Sequence, residues 1–256
     1  VQDNSANTTD SFEVISGAVA SYVTNSLTPR QVNSGDSASF SLQILNSGQA
    51  NVFLQTPFTY ITFGTDTYVL EGNQTLTGNA TSTLTFTRGL VQSAPNATPY
   101  LSTLYLSGQE NGAVYLDTLS AIPDGIMVYS IPVVQVQNFN IEGDSVSQGQ
   151  GNVTLTFDIN NLNNPPQPRD NIIINSPADI ILHNQSLGSF NPILVSPLPA
   201  VFPITITPDS PTSFTYQLNF ADDYPIGLDR LWAEVNYRDR NTSRLKVIED
   251  STTVGA

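Results

Sequence analysis

The sequence predicts an all-β protein built from two tandem β-sandwich domains, and three observations support this prediction. Within residues 38–45, Phe40, Leu42 and Ile44 alternate with serine and glutamine, which is the pattern of a strand with one buried and one solvated face. The same alternation returns in the second half of the chain, at residues 153–159. Finally, glycine, asparagine and proline separate many short apolar runs, and no helical periodicity is sustained. Many short strands at regular spacing are typical of a sandwich or barrel.

The predicted strands follow this punctuation in chain order. In the first half they are residues 12–23, 38–45, 52–63 with a break at Pro57, 68–70, 82–87, 100–107 and 114–119. In the second half they are residues 153–159, 171–175, 179–183, 200–207, 213–220, 231–237 and 244–248. A Val-x-x-Gly turn precedes the alternating strand of each half, at residues 32–35 and 146–149. The sequence Ile122-Pro123-Asp124-Gly125 predicts a turn that closes the first half.

The predicted domains are residues 12–128 and residues 129–256, preceded by a tail or linker strand at residues 1–11. Ten of the 17 prolines lie between Pro165 and Pro211, so the second domain is predicted to carry a proline-rich insertion. Because proline is excluded from central strands, we expect this insertion to be loop or edge strand.

The composition is polar but poor in charge. Charged residues make up 12% of the chain, against roughly 25% in ordinary domains, and 26 Ser, 27 Thr and 24 Asn take their place. We therefore expect a secreted, extracellular or cell-surface protein. The net charge of −14 argues against nucleic acid, which requires a basic surface. No apolar run reaches the roughly 18 residues that a membrane-inserted helix needs.

The order of motifs in the first half resembles a known class of repeat. V-x-x-G is followed by the alternating strand, an N-S-G turn at residues 46–48, T-L-T-F at residues 83–86 and L-Y-L-S-G-Q-E-N-G at residues 104–112. This order is similar to the Ig-like repeats of large bacterial cell-surface and adhesion arrays, including CARDB-like arrays. The resemblance implies two tandem Ig-like β-sandwich domains that serve as a spacer, adhesin stalk or filament unit, without catalytic residues.

The leading functional hypothesis is a non-enzymatic extracellular structural protein, a unit of a cell-surface array or head-to-tail filament. The alternative is a carbohydrate-binding accessory region of a secreted enzyme. His183 is the only histidine and lies at the end of a predicted strand, and no G-x-S-x-G motif occurs. A serine–histidine catalytic site is therefore not predicted.

No cofactor is predicted, although calcium is left open. The chain has no cysteine and no D-x-D-x-D-G loop, which excludes thiolate metal sites and EF-hand loops. Asp222, Asp223 and Asp229 could share a cation with Glu110 or Asp239 if the fold brings them together. Adjacent acidic residues before a proline more often cap a turn.

Trp232, the only tryptophan, shares one predicted strand face with Glu234, Asn236 and Arg238. This polar company predicts that its ring faces outward, where it could stack on a sugar or anchor an interface. Of the two interpretations, we favour a tryptophan that the proline-rich insertion covers. Phe12 and Val14, at the start of the first predicted strand, are further interface candidates.

Seven Asn-x-Ser/Thr sequences occur, close to the number that composition alone would give. Asn73, Asn79 and Asn96 lie at predicted turns, where a glycan would fit if the source glycosylates.

The predicted partners are copies of the chain itself or neighbouring Ig-like modules. The C-terminal run at residues 247–253 resembles the N-terminal run at residues 1–9. This similarity suggests either tandem copies in a longer array or subunits that meet head to tail. In the second case the N-terminal segment would complete an open sheet edge on its neighbour by strand addition.

Overall fold

The computed structural model describes residues 13–143, 145–162, 168–239 and 246–255, and the last of these ranges by its backbone. The strands in chain order are β1 Ala20–Tyr22, β2 Gln31–Asn33, β3 Ser37–Asn46, β4 Val52–Leu54, β5 Tyr60–Phe63, β6 Asp66–Val69, β7 Gln74–Leu76, β8 Ala80–Leu90, β9 Tyr100–Glu110, β10 Ala113–Tyr129, β11 Val133–Ile141, β12 Val153–Leu162, β13 Ile172–Ile174, β14 Ile180–Asn184, β15 Phe190–Ser196, β16 Ile204–Ile206, β17 Thr212–Phe220, β18 Leu228–Asp239 and β19 Lys246–Gly255. Short 3-10 helices occur at Pro177–Asp179 and Pro199–Val201. No helix in the described ranges is long and apolar enough to span a membrane.

The chain forms two compact units. The first contains Val1–Arg30, Ser37–Leu90 and Tyr100–Ile126, and the second contains Gln31–Asp36, Val91–Pro99 and Met127–Ala256. The boundary drawn from the sequence between residues 128 and 129 stays a prediction.

The first unit has the strand order of an Ig-like sandwich. One of its sheets has the order β1-β3-β8, and the other pairs β9 with β10 on one side and with β4 and β5 on the other. In Ig lettering these are strands A-B-E and G-F-C. The β5–β6 hairpin and the short strand β7 extend the second sheet.

Aromatic rings from both sheets meet in the core of the first unit. Phe40 on β3 lies 5.2 Å from Phe63 on β5 and 4.8 Å from Tyr68 on β6, between ring centroids. Phe40, Leu42 and Ile44 are at most 1% exposed. This confirms the buried face that period-two alternation predicts for residues 38–45.

The second unit has the strand order of a constant-type Ig domain. One sheet has the order β11-β12-β17-β15, which corresponds to A-B-E-D. In the other sheet β18 takes the place of strand F. It pairs with β13 and β14 in the place of strand C and with β19 in the place of strand G. The all-β, tandem Ig-like fold class predicted from the sequence is therefore confirmed.

Phe157 on β12 lies at the centre of the core of the second unit. Its ring stacks on Phe139, Phe214 and Tyr216 at centroid distances of 5.2, 5.7 and 6.0 Å. Val153, Leu155 and Ile159 share its face and are buried with it. The second predicted core face is confirmed as well.

The Val-x-x-Gly turns owe their glycines to backbone conformation. Gly35 has φ +87° and Gly149 has φ +70°, values that glycine adopts without the steric cost other residues incur. The Asp222 carboxylate also lies so close to Gly149 that a Cβ there would collide with it. The two motifs are thus conformational requirements of the fold.

Three strand predictions need correction. Residues 122–125 do not form a closing turn but continue β10, whose register against β9 shifts on either side of Ile122. The described part of the first predicted strand is shortened to Ala20–Tyr22. Part of the strand predicted at residues 200–207 forms the 3-10 helix Pro199–Val201, because Pro199 begins this segment and Pro203 follows it.

The proline-rich insertion contains a strand that the sequence prediction missed. Among the described strands, β15 pairs only with β17 and forms the edge of its sheet. Pro192 is tolerated there because the outer side of an edge strand has no partner for an N–H group. The prediction that the proline-rich insertion is loop or edge strand stays a prediction; within the segment, β15 is an edge strand, whereas β13 pairs with both β16 and β18.

Replacing Phe157 with alanine should lower the free energy of unfolding by about 3–5 kcal/mol, because the variant loses a fully buried ring and leaves a cavity. Chemical denaturation measures this loss. Thr156→Ala, on the opposite face of the same strand, is the matched control and should cost about 0.5 kcal/mol or less. Equal losses in the two variants would show that the core is assigned to the wrong face.

Candidate functional site

Trp232 and His183 lie opposite each other on the outer face of the β14–β18 pair. Their rings stack with centroids 5.3 Å apart. The Nε2 atom of His183 is 3.1 Å from the Oε2 atom of Glu234. All three side chains are half-buried. The structure places Trp232 in a cluster that sequence reasoning did not assemble. Both its covering by the proline-rich insertion and its role in an interface stay predictions.

The remaining interface and glycosylation candidates lie at the surface or outside the described residues. Val14 is 82% exposed, whereas Phe12 lies outside the described residues. Asn73 and Asn79 are exposed, and Asn96 is half-buried. Their glycosylation stays a prediction.

Two of the proposed calcium ligands, Glu110 and Asp229, accept hydrogen bonds from the protein. Asp229 and Asp239 are buried, whereas Asp222 and Asp223 are exposed. Glu110 accepts a hydrogen bond from the Ala18 backbone N–H at 3.1 Å. In the described part of the chain, no three acidic or histidine side chains are grouped closely enough to hold a metal ion. That the protein has no cofactor, with calcium left open, stays a prediction.

The Asp229 carboxylate is the centre of a buried hydrogen-bond network. It accepts hydrogen bonds from the Ser186 hydroxyl at 2.6 Å, the Ser186 N–H at 2.9 Å, the Arg230 N–H at 2.8 Å and the Tyr224 phenol. Asn184 donates to it as well, at 3.3 Å. Burial alone would raise the pKa of Asp229, but these donors hold the pKa below its usual value.

The first unit contains a similar device in Asp124. This buried carboxylate accepts hydrogen bonds from the Tyr22 phenol and the Leu27 N–H. Burial opposes its ionisation, yet the donors lower the pKa of Asp124 below its usual value. A tyrosine phenol paired with a buried aspartate thus holds a loop in place in each unit.

A groove on the first unit forms a candidate surface site. Tyr60 on β5 and Tyr105 on β9 are direct cross-strand neighbours, and their rings stack with centroids 4.6 Å apart and an interplanar angle of 24°. Leu116 and Thr118 on β10 line the other side, and Phe58 and Pro57 belong to the β4–β5 connection. The groove has a volume of about 540 Å³, which is within the usual range for ligand sites.

Sequence reasoning missed this groove because both faces of β9 carry apolar side chains. Leu104 and Leu106 face the core, whereas Leu101 and Tyr105 face outward. Alternation locates a strand but cannot choose its buried face when both faces are apolar. The L-Y-L sequence at residues 104–106 was the only signal.

Solved structures similar to this chain include an I-band fragment of titin, with 14% identity over 95% of this chain and 66% of that chain, and a TM-score of 0.36. Salmonella alpha-2-macroglobulin shows 10% identity over 93% of this chain and 16% of that one, with a TM-score of 0.31. The first two Ig domains of Dpr2 in complex with DIP-Theta show 10% identity over 95% and 65%, with a TM-score of 0.25. The chain spans less than two thirds of the length of each. No family model and no curated protein matches the sequence.

Asp229→Asn should lower the free energy of unfolding at pH 7 by about 1–3 kcal/mol, because an amide cannot accept hydrogen bonds from all of these donors. The folded-state pKa of Asp229 lies below its unfolded value of about 3.9. Its stabilisation is therefore present above that unfolded value and is lost as the pH falls through the folded value.

Urea denaturation at pH 7 and at stepwise lower pH measures both effects. Asp223→Asn is the matched control, since Asp223 is exposed, and it should change stability by about 0.5 kcal/mol or less. If Asp229→Asn and the native protein lose stability identically with acid, Asp229 does not contribute to acid sensitivity.

A chelator of divalent metal ions should leave the melting temperature unchanged, because protein donors already occupy the Asp229 carboxylate. His183→Ala should likewise leave the protein folded, because His183 is only half-buried. Differential scanning calorimetry with and without EDTA is the measurement. A fall in melting temperature of tens of degrees would reveal an integral calcium site.

Proposed function

We propose that this protein is a non-enzymatic extracellular structural protein, a tandem Ig-like unit of a cell-surface array or head-to-tail filament with an adhesion or spacer role. The observation that carries the proposal is the repetition of one Ig-like strand order in two units, each with its own buried core. A surface rich in serine, threonine and asparagine but poor in charge fits the extracellular setting. The proposal includes the array role that the resemblance to CARDB-like repeats implies.

An open sheet edge in the first unit supports assembly by strand addition. In the second unit the E-type strand β17 is covered by β15, whereas its counterpart β8 is the last strand of its sheet. In the described residues, the outer edge of β8 is met by a single bridge from Leu70 to Phe86 and by the Glu71 N–H, which donates to the Thr85 carbonyl. Long, nearly uncharged edge strands are templates for pairing with another chain.

The N-terminal segment of a neighbouring copy would add to this edge. The Thr85 carbonyl accepts a hydrogen bond from the Glu71 N–H, on the side of β8 that faces away from β3. The N–H and the carbonyl of Thr85 therefore both point to this outer side. By alternation the backbone of Thr83 faces the same side. Each copy would then donate one segment and accept another. Such head-to-tail contacts do not close, so they build filaments.

Deletion of residues 1–11 should convert fibres of the full-length protein into monomers, because it removes the donated strand. Electron microscopy and light scattering measure the assembly. Thr83→Pro should have the same effect, because it removes an N–H group from the acceptor edge, a change that edge strands tolerate. Thr83→Val is the matched control, since it keeps that N–H group, and it should still form fibres.

Three results would revise the proposal in different ways. If the undeleted protein is monodisperse, it does not form filaments. The remaining interpretation is then that the chain is one unit of a longer array. Fibres that survive Thr83→Pro but not the deletion show that the acceptor is another edge. Fibres that survive both changes exclude strand donation by residues 1–11.

A further inference from the structure

The outer face of the sheet around β9 in the first unit carries no charged side chain in the described residues. Its outward positions on β9 are Leu101, Thr103, Tyr105, Ser107 and the uncharged amide Gln109, and those on β5, β6 and β10 are apolar or hydroxyl-bearing. The chain as a whole carries 22 acidic residues. Because the protein is strongly acidic, the lack of charged side chains sets this sheet face apart.

This face also exposes large apolar side chains. Leu116 is 73% exposed and Phe58 is 61% exposed, and both line the groove beside Tyr60 and Tyr105. Apolar groups that cluster on a protein surface mark binding sites more often than isolated ones do. The groove therefore needs a ligand with an apolar side of its own.

The polar groups of the groove are hydroxyls. Ser107 and Thr118 line it together with the two tyrosines, and hydroxyls both donate and accept hydrogen bonds. The acidic residue in the lining, Asp117, directs its carboxylate to the Thr118 N–H at 2.7 Å and the Tyr115 phenol at 3.3 Å. The lining offers no cation to an anionic ligand, and the net charge of −14 repels one.

We propose that the Tyr60–Tyr105 groove binds a neutral polysaccharide chain. A sugar ring has an apolar C–H face that packs against an aromatic ring, and its hydroxyls can exchange hydrogen bonds with Tyr60, Tyr105, Ser107 and Thr118. A neutral ligand fits a lining that has no cation and whose one acidic residue, Asp117, already accepts hydrogen bonds from the protein. Occupation of the groove by a second copy of the chain is a competing outcome that the test below separates from sugar binding.

Isothermal titration of the full chain tests the proposal with four neutral probes, namely cellohexaose, chitohexaose, mannohexaose and dextran, and with polygalacturonate as the anionic control. We expect at least one neutral probe to bind and the anionic control not to bind. Tyr105→Ala should weaken the binding at least tenfold, whereas Tyr105→Phe, which keeps the stacked ring, should weaken it less.

Two further variants control for folding and position. Leu116→Glu places a charge in the groove at a residue exposed enough to leave the fold intact, and it should also weaken binding at least tenfold. Phe53→Ala is the matched control, because Phe53 is a 44% exposed aromatic residue in the same sheet, on β4, but outside the groove lining. It should bind like the native protein.

Several outcomes would overturn the inference. These are failure of all four neutral probes to bind, tighter binding of polygalacturonate, and native-like binding by both Tyr105→Ala and Leu116→Glu. A dimer that Leu116→Glu dissociates, without sugar binding, would show that the occupant is a second copy. None of these outcomes depends on filament formation, so the groove and the proposed function are tested separately.

Discussion

Pairing of a B-type strand with an E-type strand is the interaction on which each sandwich depends. In the first unit β3 pairs with β8 so that Phe40 lies opposite Phe86 and Leu42 opposite Leu84. In the second unit β12 pairs with β17 so that Phe157 lies opposite Phe214. These cross-strand pairs supply the inward face of one sheet, and the facing sheet then has a continuous apolar surface to cover. Register is fixed in both, because a one-residue slip would turn this face to water.

Buried polar groups then fix the loops that the core leaves undetermined. Asp124 with Tyr22 and Asp229 with Tyr224 are carboxylate–phenol pairs, one in each unit, that also accept backbone N–H groups. A buried carboxylate is costly unless donors surround it, so each pair specifies one loop conformation. This explains why Asp229, a calcium candidate by sequence, has a structural use that needs no cation.

The sequence predicts those strands that show one apolar and one polar face. β3 and β12 were found with nearly their full lengths, because their alternation is strict. β15 was missed because Pro192 and Pro197 argue against a strand by sequence. This strand tolerates proline because it pairs along only one of its edges. The course of β10 through residues 122–125 was missed because Pro-Asp-Gly is a turn signal locally, whereas pairing with β9 overrides it through register shifts.

The candidate site was harder to foresee than the fold, for a physical reason. Tyr60 and Tyr105 lie far apart in the chain and meet only because β5 pairs with β9, a long-range register that no local pattern encodes. Charge offers a more general guide to such surfaces. On a chain with 22 acidic and 8 basic residues, the acids Asp66 and Asp117 of the hairpins that border the groove turn away from its outer face. The strands thus keep one face neutral, while the net charge on the rest of the surface still favours solubility.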